Sequence, residues 1–268
     1  MSDVLLSERD GGLLTLTFNR PQKKNAITST MWNLLDAAVR EAEVEDEIRC
    51  VLITGADGNF SSGADLSGGD SKEEAKGGLT GKGRRLIVQD MRTIGQIISR
   101  LKRLPKPTVA AVDGNAVGVA LGIALACDLI VATDRARFSE VFVKRGLALD
   151  GGTSWTLPQL IGERRAKQMA FFGEPIDAAT ALEWGLINEV VAPEELPKIA
   201  ADLGRRLAGG PTTALSLIKT MIDASNSSSF EDAIEAEARA QHITYTTKDL
   251  QEGMQAYFER REPNFTGQ

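Results

Sequence analysis

Apolar positions along this chain recur at a spacing that switches repeatedly between about two and about 3.6 residues, the mark of strands alternating with helices. In LLTLTF (Leu13 to Phe18), Leu14, Leu16 and Phe18 alternate with threonines, which predicts a half-buried strand. After the turn NRPQKKNA, the spacing predicts a helix from about Ser29, with Met31, Leu34, Leu35, Ala38, Val39 and Ala42 on one face. CVLITG (Cys50 to Gly55) is a short apolar run, as expected of a strand covered on both sides. TVAAVDG and DLIVAT repeat that pattern, and GVALGIALAC between them has room only for a short buried helix.

The stretch from Gly68 to Gly83, GGDSKEEAKGGLTGKG, mixes glycines with charges, lacks periodicity and reads as a mobile loop. The next helix carries Leu86, Ile87, Met91, Ile94, Ile97, Ile98, Leu101 and Leu104 on one stripe before PKP stops it. Beyond Ser154 the pattern is almost wholly helical. An α/β core over 1–204 with a helical C-terminal region over 205–268 is the expected organisation, and no internal repeat is present.

Composition narrows the function. The 268 residues are 42% hydrophobic and carry a formal net charge of -6, which fits a sizeable core and argues against a protein that wraps nucleic acid. Cys50 and Cys127 sit in apolar surroundings and read as buried thiols of a reducing compartment, so a cytoplasmic address is expected. The first residues carry acids and no long apolar run, and nowhere do the roughly 18 unbroken apolar residues of a membrane span occur. His242 is the lone histidine and there is no CxxC pair, which makes a zinc site or a Ser-His-Asp triad improbable. His242 itself reads as a packed or surface helix residue. GLTGKG mimics a phosphate loop only superficially, since Gly83 rather than Ser or Thr follows Lys82.

Six stretches carry a family resemblance: FNRPQKKNA, FSSGADL, KPTVAAVDGNAVGVALGIALACDLIVA, RFSEVFVKRGLALDGGTSWTLPQLIG, EWGLINEVV and EGMQAYFERREPNF. In that order and spacing the chain resembles, almost end to end, the crotonase superfamily of enoyl-CoA hydratases and isomerases, nearer the isomerase-type members than the two-glutamate hydratases. The resemblance implies the crotonase spiral of repeated ββα units with a helical C-terminal trimerisation region, and a homotrimer or a hexamer of two trimers. It implies an acyl-CoA substrate, with coenzyme A arriving as part of the thioester and no other cofactor or metal.

Thioester chemistry of this kind piles negative charge on the carbonyl oxygen, so fixed donors must aim at it, and backbone N–H groups at a helix start are suited to that. SSGAD can expose the N–H of Ala64, and GNAVGVALG that of Val119. Gly63, Gly118 and Gly122 also have a plainer use, in turns and close helix packing. For coenzyme A the resemblance points to Lys23, Lys24 and Ala26, to the backbone of Ser62, Ala64, Asp65 and Leu66, and to Val117 beside Val119. Lysines suit phosphates as mobile charges, though a solvated turn pair looks the same in sequence. Asp65 could equally cap a following helix.

The carboxylates decide the reaction. A typical hydratase carries one glutamate where Gly122 stands and a second where Phe142 stands, and neither acid is present. Glu140 could compensate only if the local register differed. Asp150, in GLALDGG, matches the lone acid of members that move a double bond, such as enoyl-CoA isomerases and the ring-opening isomerase of phenylacetate degradation. One base suffices there: it takes a proton from one carbon and returns it two carbons away. Leu147, Leu149 and Trp155 would enclose that acid and raise its pKa. Its structural alternative is a turn or cap before a helix starting near Thr153. An isomerase using Ala64, Val119 and Asp150 is the leading expectation. A hydratase with relocated acids, a hydrolase or dehalogenase with Asp150 as nucleophile, and a non-catalytic acyl-CoA-binding subunit are the alternatives.

Overall fold

Residues Leu5–Asp10 (β1) and Leu13–Phe18 (β2) pair antiparallel across a two-glycine turn, with Asp10 opposite Leu13, in a computed structural model. The structure describes residues 4–66 and 84–268, with backbone alone for 84–87. The loop expected from Gly68 to Gly83 and the side chains of Leu86 and Ile87 therefore lie outside the described residues.

From β2 the main sheet continues in parallel through Cys50–Gly55 (β3), Thr108–Val112 (β4), Leu129–Thr133 (β6) and Glu189–Val191 (β9). Its register sets Leu14 beside Val51, Leu52 beside Val109, Ala110 beside Ile130 and Ala132 beside Val190. Successive side chains point to opposite faces, so both faces of these runs are apolar. Leu13, Cys50, Leu52, Val109 and Val131 pack against the helix Leu196–Ala208 (α6). Leu14, Leu16, Phe18, Val51, Ile53 and Ala110 pack in the larger core with Ser29–Val44 (α1), Arg84–Lys102 (α2) and Val119–Ala126 (α3).

A second, smaller sheet orders Asn115–Val117 (β5), Arg137–Ser139 (β7) and Ile176–Asp177 (β8). Two isolated bridges, Ser61 to Ala116 and Ile27 to Ala64, extend the same edge backward along the chain. Each turn of the spiral thus lays one strand in the main sheet, touches the small ladder and returns through a helix, the ββα repeat. The fold is the expected crotonase spiral. After β7 come a 3₁₀ turn (Val141–Arg145), the helix Thr153–Phe172 (α4), broken at Gly162, and the helix Ala178–Trp184 (α5).

Several expectations shift. The stretch beyond Ser154 is almost wholly helical, as expected, and only the short β8 and β9 interrupt it; two and three residues are too short to show a period of two. β1, β5 and β7 were equally invisible, β1 because its outer residues are polar and exposed. Met91 leaves the apolar stripe of α2 and is exposed, whereas Ile97, Ile98, Leu101 and Leu104 are buried. Trp32 replaces Leu34 in the buried face of α1. Residue 205 falls within α6, which lies on the sheet; the helices beyond it are Thr212–Ala224 (α7), Phe230–Thr244 (α8) and Lys248–Glu259 (α9). Cys50 and Cys127 are buried free thiols, and burial pushes each up to about 12.

Candidate active site

Two backbone segments lie side by side at the end of the small ladder. Ser61 N–H donates to Asn115 C=O at 2.7 Å, and Val117 N–H donates back to Ser61 C=O at 3.2 Å. Gly63, at φ +94°, permits the approach, since a Cβ there would stand 2.7 Å from the Val117 oxygen. Ile27 exchanges bonds with Gly63 C=O and Asp65 N–H, at 2.8 and 2.9 Å, which turns the Ala64 N–H to the other edge. Val119 is the first residue of α3, whose eight residues are all buried, and Gly118 N–H is held by Ser139 C=O at 2.8 Å. A helix start leaves its first N–H groups without intrahelical partners and carries the positive end of the dipole. Neither Ala64 N–H nor Val119 N–H meets an acceptor among the described residues.

Lys23 and Lys24 end a 3₁₀ turn (Pro21–Lys23), both exposed, while Ala26 is buried. Ser62 N–H donates to Lys24 C=O at 2.9 Å, which stitches this turn to the Ala64 loop. Asp65 takes an ion pair from Arg20 at 3.0 Å, with both side chains under a tenth exposed. Arg20 also donates to Ala26 C=O at 2.7 Å, so the Arg20–Asp65 pair braces the loop; the helix that Asp65 was expected to cap lies outside the described residues. Leu66 is exposed, and Val117 is half-buried beside the Gly63 turn.

Asp150 precedes α4 in a turn whose Gly151 lies on the first turn of α3. A Cβ on Gly151 would stand 3.3 Å from Gly122 Cα and 3.5 Å from Val119 Cα. Asp150 Oδ1 accepts from Gly151 N–H at 2.6 Å, and its carbonyl accepts from the Thr153 hydroxyl at 2.9 Å. The α4 N-cap is Gly152, so the carboxylate does not cap that helix. The expected apolar enclosure is not formed among the described residues: Leu147 is 44% and Trp155 50% exposed. Trp155 instead lines a cavity of about 490 Å³ with Leu125, Cys127, Ile218 and Ile222, whose lining includes neither Ala64 nor Val119.

A model described as enoyl-CoA hydratase/isomerase matches residues 8–268. The chain belongs to that family. It is 36% identical, over the whole of both chains, to a 1,2-epoxyphenylacetyl-CoA isomerase of Escherichia coli, and 35% identical, over 98% of each, to a trans-2-decenoyl-[acyl-carrier-protein] isomerase of Streptococcus mutans. A solved enoyl-CoA hydratase of Bacillus anthracis superposes with a TM-score of 0.90 at 26% identity, covering 99% of this chain and 100% of that one.

Within this crotonase-type frame the missing hydratase acids acquire a physical reason. A Cβ on Gly122 would lie 2.6 Å from Gly151 O and 2.9 Å from Gly151 Cα, so the Asp150 turn occupies the space a glutamate there would need. The Phe142 ring sits against Gly118, 3.4 Å from where a Cβ would be, and covers the approach to α3. Glu140 is the residue the sequence undervalued. It is fully buried, and neither carboxyl oxygen has a hydrogen-bond partner among the described residues. Burial pushes it up to about 8, with the Asp150 charge adding to the rise and the nearby Thr153 hydroxyl opposing it. An acid flanked by the strand RFS and by Val141 and Phe142 was the available signal. His242 is exposed on α8.

Proposed function

We propose that this chain is an acyl-CoA isomerase that shifts a double bond through a thioester dienolate, with Asp150 as the single proton shuttle. Asp150 takes a proton from one carbon of a 3-enoyl thioester, the N–H groups of Ala64 and Val119 hold the developing oxyanion, and Asp150 returns the proton two carbons away. Each donor contributes about 3 kcal/mol to the transition state. Lys23 and Lys24 meet the phosphates of coenzyme A, and the backbone of Ala26, Ser62, Asp65 and Leu66, with Val117, lies along the rest. Nothing in that sequence of steps calls for a metal or redox cofactor.

The observation that carries this reading is the contact of Gly122 with Gly151. It takes the room of a second acid on α3 and leaves Asp150 beside the oxyanion helix. A homotrimer, or a hexamer of two trimers, belongs to the proposal; exposed Ile218, Ile222, Phe230, Tyr257 and Phe258 on α7, α8 and α9 support it.

The test follows double-bond position and solvent deuterium uptake with a 3-enoyl-CoA, beside hydration of a 2-enoyl-CoA. Wild type should move the bond, and Asp150→Asn should lose at least about a hundredfold in kcat. Dominant hydration that survives Asp150→Asn would overturn the assignment.

A further inference from the structure

Ser61 has no part in the proton transfer, yet it binds both segments that supply the oxyanion donors. It is fully buried. Its N–H and C=O hold the strand before α3, through Asn115 C=O at 2.7 Å and Val117 N–H at 3.2 Å. Its hydroxyl donates its hydrogen to Asn25 C=O at 2.7 Å and accepts from Gly63 N–H at 3.1 Å, a pair of bonds that no apolar residue of that size could make. Gly63 is the pivot of the Ala64 loop. Its carbonyl is held by Ile27 N–H at 2.8 Å, and across a trans peptide the Ala64 N–H points opposite to that carbonyl. With Gly63 fixed at both its N–H and its C=O, the direction of the Ala64 N–H is set.

Asn25 anchors this arrangement. It is fully buried at φ +54°, a left-handed conformation that asparagine adopts more readily than most residues. Its Oδ1 accepts from Arg20 N–H at 2.8 Å, and its Nδ2 donates to Ala56 C=O at 2.9 Å and to Asn59 C=O at 2.6 Å. These bonds tie its turn to the segment after β3 and fix the carbonyl that receives the Ser61 hydroxyl.

We infer that Ser61, anchored by Asn25, is a positioning residue for the oxyanion hole: its hydroxyl aims the Ala64 N–H, and its backbone holds that loop in register with the strand that leads to Val119. The inference rests on the reading of Ala64 and Val119 as oxyanion donors. It does not depend on which acid moves the proton.

The thioester carbonyl itself is the probe. Bound 2,4-hexadienoyl-CoA, isotope-labelled at that carbonyl, gives an infrared difference band whose frequency falls as donors close on the oxygen. Wild type should lower it from its value in water, Ser61→Ala should lower it less, and Asp150→Asn should match wild type. Ser61→Cys, of nearly the same shape with a weaker donor, should fall between and serves the same comparison if Ser61→Ala does not fold. With 3-hexenoyl-CoA, Ser61→Ala should lower kcat about tenfold with KM within about twofold of wild type. Asn25→Gly keeps the left-handed turn without the side-chain bonds and should act in the same direction. A Ser61→Ala band at the wild-type position overturns the inference even where kcat falls, since the loss would then report stability alone. A wild-type band unmoved from its value in water removes the oxyanion reading and this inference with it. The isomerase reading is decided separately, by the activity of Asp150→Asn, so the two fail independently.

Discussion

Glu140 also writes itself into stability. Its folded value, about 8, stands well above the ordinary 4.5, so between those limits the native carboxyl keeps a proton that the unfolded chain has released. Stability is therefore greatest below the lower limit and declines as pH rises through the upper one, by a few kcal/mol at about 1.4 kcal/mol per unit. Glu140→Gln should flatten that slope, which urea unfolding at several pH values will measure; an unchanged slope would mean the group ionises freely in the native state.

At the scale of elements, the loop carrying Ala64 is held by three neighbours: the Lys23–Lys24 turn through Ser62, the Ile27 bridge, and the buried pair of Arg20 with Asp65. Removing one partner of a buried pair costs about 3 kcal/mol or more, because the remaining charge keeps its burial and loses its counterion. Under the proposed function, Asp65→Ala should lower the melting temperature accordingly and raise KM for a CoA thioester more than it lowers kcat, since it loosens the Ala64 loop without touching the Asp150 turn. Thermal melts with steady-state kinetics will read both. A drop confined to kcat would assign Asp65 to the chemistry instead.

On the molecular scale, the C-terminal helices are tied to the spiral by a few long-range polar contacts. Lys219 on α7 pairs with Asp128 at 2.9 Å, and Arg49 reaches Phe265 C=O at 3.0 Å and the Thr212 hydroxyl at 2.9 Å. Asp249, buried at the start of α9, accepts from Thr266 N–H at 2.7 Å and Gly267 N–H at 2.9 Å, which folds the segment after α9 back onto the helices. Asp249→Ala leaves these N–H donors without their acceptor and should destabilise the protein by about 1–3 kcal/mol. Limited proteolysis should then cut first near residues 260–268, and a cut pattern identical to wild type would show the segment held by other contacts.

The sequence by itself determined the long elements and the two segments, SSGAD and GNAVGVALG, that the proposed function uses. LLTLTF, CVLITG and TVAAVDG are strands because their apolar positions suit burial on a pleated sheet, and GVALGIALA is a buried helix because no polar residue interrupts it. Through its family resemblance it also implied that Gly122 and Phe142 stand where a typical hydratase has glutamates. Only the tertiary structure decided why: Gly151, 29 positions further along, packs its backbone onto Gly122, and such a contact between distant residues leaves no periodic trace. The three-residue strands, the Arg20–Asp65 brace, the exposure of Leu147 and Trp155 and the burial of Glu140 belong to the same class. Each depends on what another part of the chain brings alongside, and local spacing carries no record of that.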